Sequence, residues 1–262
     1  MLPGEVSSVR LHESLQKGVE KLFFKNRSTI WSKRVAYMIG NVILMLVLFY
    51  VVLNTIAYDW TGSLYPEGTG FRLDWMFGGL DAAIPFVPEM AIFYIYLFYG
   101  AVIFTMIYFG FIASEKGYAL GWSLVVINLI AIIVYIFFPV STHWYRVDLL
   151  AHQLTGNPWA EAVYHVFATD TSFNCFPSLH AAVSTAVAYT WYRYARLKRM
   201  GIRTVMSIVM AIIATGVILS TLFVKQHYVA DEVSGFLLAY VVSRILFNKL
   251  WKPLEPQETN KK

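Results

Sequence analysis

Six stretches of this chain are apolar for close to twenty residues each, and that length constrains the fold more than any other feature. A helix rises 1.5 Å per residue, so about twenty apolar residues cross the roughly 30 Å hydrocarbon core of a bilayer. The stretches run from Val35 to Ala57, Met90 to Ala113, Tyr118 to Phe138, Pro177 to Tyr194, Thr204 to Val224 and Tyr228 to Phe247. Of the 262 residues 58% are hydrophobic and 14% charged, where a soluble domain carries about 25% charged residues. The chain therefore reads as all-α: a polytopic membrane protein built as a six-transmembrane-helix bundle.

Six spans return the chain to the side on which it starts. Eighteen of the 21 Lys and Arg residues then fall on the side of the two termini, and only Arg72, Arg146 and Lys225 fall on the other. Because cytoplasmic loops are enriched in Lys and Arg, both termini are expected in the cytoplasm and the protein in the cell membrane as a multi-pass chain. The net charge of +5 follows from the same bias. Its basic residues flank apolar runs instead of forming one surface, which argues against nucleic acid as a partner.

The expected organisation is a cytoplasmic amphipathic segment over residues 1–34, a six-span catalytic membrane domain over 35–247, and a cytoplasmic tail over 248–262. In the first, Leu11, Leu15, Val19, Leu22 and Phe23 recur at helical spacing, with Lys17, Lys21 and Lys25 between them. The run from Val35 follows a charged segment and lacks a small-residue cleavage pattern, so it reads as a retained anchor.

Two long connections, Tyr58 to Glu89 and Pro139 to Phe176, fall outside, and in the second Trp159 to Phe167 is expected to form a short helix over the outer face. His143, His152, His165, Asp148 and Asp170 lie in that connection at spacings matching no strong metal pattern, so they read as a solvated loop. Ser141 and Thr142 read as turn caps. Trp60, Tyr65, Trp75, Trp144 and Trp159 read as an interfacial belt. Cys175, the one cysteine, excludes an intrachain disulfide and stands where an impermeant thiol reagent would reach an open outer loop.

Ionisable groups at the ends of spans are costly in lipid and mark function. Three clusters qualify. Phe176-Pro177-Ser178-Leu179-His180 opens the fourth span, where proline suits the first helical turn and free amides attract an anion. Ser220 to Asp231 joins the fifth span to the sixth, and His227 and Asp231, four apart, are placed for the carboxylate to hold the imidazole in one tautomer. Arg146 lies beyond the third span and carries a planar guanidinium suited to phosphate oxygens. Topology puts Arg146, His180, Lys225, His227 and Asp231 at one membrane face. Two histidines, one oriented by a carboxylate, with Arg and Lys alongside, supply a nucleophile, an acid for the leaving group and cations for developing charge in phosphoryl transfer.

Pro-Ser-Leu-His at 177–180, and Ser220 followed by His227 and Asp231 in a His-Tyr-x-x-Asp context, resemble the second and third signature motifs of the type-2 phosphatidic acid phosphatase superfamily. The resemblance runs from about the third span to the sixth. It implies that His227 attacks phosphorus to form a phosphohistidine, that Asp231 orients it, that His180 protonates the leaving oxygen, and that Arg146 and Lys225 hold the phosphate, with no metal; Ser178 and Ser220, hydroxyls in the same clusters, are read as further phosphate-binding candidates, and no cofactor is expected. Leu179 stands where the common phosphatase pattern has glycine, and Thr221 where it has arginine. Those departures look more like the branch containing inositol phosphorylceramide synthases and sphingomyelin synthases, in which an alcohol instead of water relieves the phosphohistidine.

The expectation is thus a lipid phosphatase or phosphotransferase with its active site on the outer face. Its substrate is a phospholipid, sphingolipid or polyprenyl phosphate that enters sideways from the bilayer, and an alcohol acceptor takes part if the reaction is transfer. The competing reading is a lipid-binding scaffold or transporter that keeps this fold without turnover.

Overall fold

The computed structural model describes residues 63–112, 114–152, 155–197 and 201–250, together with residues 35, 36, 39, 40 and 43. The amphipathic segment from Leu11 to Phe23, nearly all of the first apolar run and the tail from residue 251 lie outside the described residues.

Seven helices in the described residues organise the molecule. They are α1 (Pro88–Phe111), α2 (Ser114–Phe137), α3 (His143–Ala151), α4 (Pro158–Thr169), α5 (Leu179–Leu197), α6 (Gly201–Phe223) and α7 (Val229–Leu250). Four of these are long and apolar enough to cross a membrane: α1, α2 from Lys116, α6 and α7. Large apolar side chains on their outer faces, among them Ile103, Ile107, Ile133, Phe137, Ile208, Ile212, Leu237, Val241 and Ile245, are exposed. A soluble monomer rarely leaves apolar surface of that extent uncovered, whereas lipid covers it at no cost. The protein is a multi-pass membrane protein.

α5, the expected fourth span, is the least apolar of the long helices and sits at the centre. It packs against α6, α7 and α2, and it buries Ala181, Ala182, Ser184, Thr185, Ala186, Thr190 and Trp191. Small residues let neighbouring helices approach closely where no hydrophobic force separates helix from lipid. The polar groups among them are bonded inside the bundle: Thr190 Oγ1 donates to Ala186 O at 2.7 Å, and Trp191 Nε1 donates to Thr105 Oγ1 of α1 at 3.0 Å. Two glycines mark the tightest crossings. A Cβ on Gly216 of α6 would stand 2.2 Å from the Phe93 ring of α1, and one on Gly235 of α7 would stand 2.2 Å from Ser178 O.

α1 opens on Pro88, whose fixed φ suits a helix start. It widens into π-helical turns at Ile92–Leu97 and Tyr108–Ile112. The first of these carries Tyr94, and Phe98 follows it directly.

The connection between the third and fourth expected spans contains two helices, where the sequence pointed to one. α4 covers the expected segment and starts on Asn157, whose side-chain oxygen accepts from Trp159 N at 2.9 Å and Ala160 N at 3.2 Å. α3 is the addition: His-Trp-Tyr-Arg-Val-Asp-Leu-Leu-Ala has no clear apolar stripe, and tertiary contacts stabilise it. Arg146 in its first turn is bonded to Asp170 O, Thr171 O and Gln226 Oε1, and Tyr228 OH donates to Ser141 O, just ahead of the helix, at 2.7 Å. Two isolated β-bridges, Phe71 with Val140 and Val140 with Asn174, pin the connecting strands of chain to one another.

Candidate active site

The starts of α5 and α7, the turn after α6, and α3 meet at one point. Ser178 is the N-cap of α5, its Oγ accepting from Ala181 N at 3.2 Å, so Pro177 precedes the helix and does not form its first turn. His180 follows as the second helical residue. α6 ends at Phe223, and the chain reverses through Lys225, which takes a left-handed φ of 59°. Gln226 N and His227 N both donate to Thr221 O, at 2.9 and 3.3 Å. Asp231 Oδ2 then accepts from Tyr228 N at 2.8 Å, half of a capping box that ties the first turn of α7 to the turn before it.

This turn brings the two histidines face to face. His180 Nδ1 lies 3.2 Å from His227 Nε2. On the other side of the ring, His227 Nδ1 is 3.5 Å from Asp231 Oδ2. His227 therefore precedes the helix that carries Asp231, and the capping turn, instead of a shared helical face, sets their approach. The rings of Tyr94 and Phe98 pack against His180 with centroids at 4.7 and 5.0 Å.

Arg146 is only 5% exposed. Its Nη1 donates to Asp170 O at 2.6 Å, and its Nη2 donates to Thr171 O at 3.1 Å and Gln226 Oε1 at 2.7 Å. The Asp170 carboxylate is 3.7 Å away, and the guanidinium lies over the Phe167 ring at 5.2 Å. Arg146 Nε and Gln226 Nε2 are buried donors with no acceptor among the described residues. A small cavity of about 30 Å³, room for about one water-sized group, is lined by Arg146, His180, Gln226 and His227 together with Tyr135 and Asp170.

Burial and the nearby Arg146 charge lower the His227 imidazole to about 3, while the Cys175 carbonyl acts the other way. The ring is neutral at physiological pH, with an unprotonated nitrogen available as a nucleophile. Burial raises the Asp170 carboxyl to about 6, against the pull of Arg146. Cys175, His227 and Asp231 bring potential ligand atoms within 4.8 Å of one another and are the described group that could hold a metal ion. The Cys175 thiol is raised by burial and donates to Ser172 O at 3.2 Å.

Of the residues singled out from sequence, Arg146, His180 and His227 line the cavity and Asp231 stands directly behind His227. The other three lie elsewhere. Lys225 Nζ turns away, donating to Asp81 O at 2.8 Å and Ile84 O at 2.5 Å over the Tyr145 ring, and burial lowers its ammonium group. Ser220 Oγ donates to Val217 O at 2.7 Å. Ser178 caps α5, its Oγ accepting from Ala181 N.

Sequence reasoning missed Gln226, Asp170 and Glu232. Asp170, read as a solvated loop residue, is drawn in by Arg146. Gln226 had only its place beside His227 to commend it. Glu232 is 3% exposed and accepts from Thr221 Oγ1 at 2.8 Å. An acidic residue adjacent to Asp231 inside an apolar run was a signal that could have been read.

A family model described as the PAP2 superfamily matches residues 65–245 of the chain, which contain every residue of the site. No curated protein and no solved structure matches it.

Proposed function

The chain belongs to the PAP2 superfamily, whose activity is that of phosphatases and phosphotransferases on phosphate esters, and from that premise we propose that it is a lipid phosphatase or headgroup transferase. The observation that carries this reading is the approach of His180 Nδ1 to His227 Nε2 at 3.2 Å in a cavity that Arg146 also lines.

In the proposed reaction the phosphoryl group binds against Arg146, where Arg146 Nε and Gln226 Nε2 supply donors. His227 Nε2 attacks phosphorus, and the bond from phosphorus to the lipid alcohol oxygen breaks. The negative charge of the bound phosphate favours a proton on the His180 ring, which gives it to that oxygen, and Asp231 balances the charge that develops on the His227 ring. Water or an alcohol acceptor then attacks the phosphohistidine, returns a proton to His180 and frees His227. Ser178, Ser220 and Lys225 serve phosphate binding indirectly, by holding the turns that present His180 and His227. The bundle has six spans with both termini cytoplasmic, and the site opens on the outer leaflet. The substrate is a phospholipid, sphingolipid or polyprenyl phosphate, and Leu179 and Thr221 favour the phosphotransferase branch.

Turnover of a panel of phospholipids, sphingolipids and polyprenyl phosphates by purified protein, with and without alcohol acceptors, tests this reading. His227→Ala is expected to abolish turnover, and His180→Ala to lower it by about 10²–10⁴-fold. Free inorganic phosphate identifies hydrolysis, and its absence with product formed identifies transfer. Equal activity in His227→Ala and parent would overturn the mechanism. Lipid binding without any turnover would favour the scaffold.

A further inference from the structure

At the ends remote from the histidines, α5, α6 and α7 enclose a groove of about 790 Å³. Arg193 follows His180 by thirteen residues on α5 (193 − 180), and Arg244 follows Asp231 by thirteen on α7 (244 − 231). At 1.5 Å per residue that is roughly 20 Å along each helix, so the groove and the candidate active site face opposite leaflets.

Three arginines line it, and their bonded partners are neutral. Arg193 Nη1 donates to Asn248 Oδ1 at 2.8 Å and to Tyr189 OH at 3.2 Å. Arg196 Nη1 donates to Tyr192 OH at 2.7 Å, and Arg244 Nη1 to Tyr240 OH at 3.1 Å. The phenols orient the guanidinium groups without cancelling their charge. Among the described residues no acidic side chain lines the groove, and no ion pair involves these arginines. Each guanidinium keeps further N–H donors in a planar fork, the geometry that pairs with phosphate oxygens. The rest of the lining is largely apolar, with Ala188, Ala211 and Phe236, and it adjoins the lipid-facing side chains Ile208, Ile212, Leu237 and Val241.

Three positive charges above an apolar floor at a membrane face match an anionic phospholipid, with the headgroup phosphate among the guanidinium groups and the acyl chains along α6 and α7. We propose that this groove is a binding site for an anionic glycerophospholipid of the leaflet opposite the catalytic site. The site is separate from the reaction centre and does not depend on the reading of His180 and His227.

Native mass spectrometry of the full-length protein in non-ionic detergent, with added phosphatidylglycerol or phosphatidylcholine of identical acyl chains, tests it. The parent is expected to retain phosphatidylglycerol over phosphatidylcholine by about tenfold or more. Combined Arg193→Gln, Arg196→Gln and Arg244→Gln should bring the ratio to within about twofold of unity. Ala211→Phe, which fills the groove and leaves every arginine in place, should do the same and decides the matter if the triple variant does not fold. His227→Ala should keep the parental preference. The proposal is overturned if the parent shows no preference, if the folded arginine or Ala211→Phe variants keep it, or if His227→Ala loses it. Displacement of the lipid by millimolar inorganic phosphate alone would also overturn it, because the site would then be one for free phosphate.

Discussion

Ser178 N donates to the backbone oxygen of Asp231 at 3.0 Å, so the first turn of α5 is bonded to the first turn of α7. The residue after next, His180, and the residue four before Asp231, His227, therefore move with one joint. Gly235, one turn beyond Asp231, lets the two helices close on each other there.

Gly235→Ala should open that joint. Its Cβ would stand 2.2 Å from Ser178 O, and backbone cannot yield as a flexible side chain does. Overpacking of this kind costs about 1–3 kcal/mol. The expected outcome is a lower melting temperature in detergent together with reduced turnover, and a variant with parental melting behaviour would contradict the crossing described.

Arg146→Lys should not be tolerated. A lysine offers one ammonium where the guanidinium bonds Asp170 O, Thr171 O and Gln226 Oε1 together, and hydrogen bonds to charged groups contribute about 1.5–3 kcal/mol each. We expect kcat/KM to fall by at least about 100-fold, with a smaller loss, about tenfold, for Gln226→Ala, which removes a single partner of Arg146. Steady-state kinetics on the best substrate of the lipid panel would check both values, and an active Arg146→Lys enzyme would remove the guanidinium from the site.

Two groups in the connections between the helices, His227 and Asp170, act on the pH dependence of stability in opposite directions. The native His227 ring takes up a proton only near 3, against an ordinary 6.5, so the unfolded chain binds more protons between those values. The stability this residue contributes is present above about pH 6.5 and is lost as the pH falls. Asp170 has the other sign: its native carboxyl protonates near 6 against 3.8, so acidification across that interval adds stability. His227→Gln should flatten the acid side of a plot of melting temperature against pH, and Asp170→Asn should steepen it. Parallel curves for both variants and the parent would refute the assignment.

Cys175 is 2% exposed, and its thiol is raised by burial, so only a small thiolate fraction is available to react. Sequence position suggested an outer-loop thiol open to reagents, whereas the fold encloses it beneath Thr142 and Gln226. Impermeant maleimide should leave the native protein unlabelled from either side of the membrane and label it promptly in sodium dodecyl sulfate. Rapid labelling of intact cells would mean that this loop opens.

Much of the fold was legible because lipid imposes a simple rule of length and polarity on each span. The runs ending at Phe138, Val224 and Phe247 are helices within a few residues of the expected bounds. The fourth run is a helix too, α5, but it is not among the four apolar enough to cross a membrane, because its buried face is rich in Ser, Thr and Ala. α3 was not legible: its nine residues of mixed polarity are held by the bonds of Arg146 to Asp170, Thr171 and Gln226 and of Tyr228 to Ser141, and those contacts join positions up to 87 residues apart.

The site divides along the same line. His180, His227, Asp231 and Arg146 could be named from sequence because ionisable groups beside apolar runs are few and their chemistry is specific. Their geometry could not, since spacing along a chain says nothing of the direction in which a turn points a side chain. The left-handed backbone at Lys225 sends its ammonium group toward Asp81 and Ile84 while Gln226 and His227 turn to Arg146 and His180. Sequence alone determined a multi-pass membrane protein and a small set of candidate ionisable groups beside its apolar runs. Tertiary structure decided which of them meet, because that depends on the direction of each turn and on the close crossing of helices far apart in the chain.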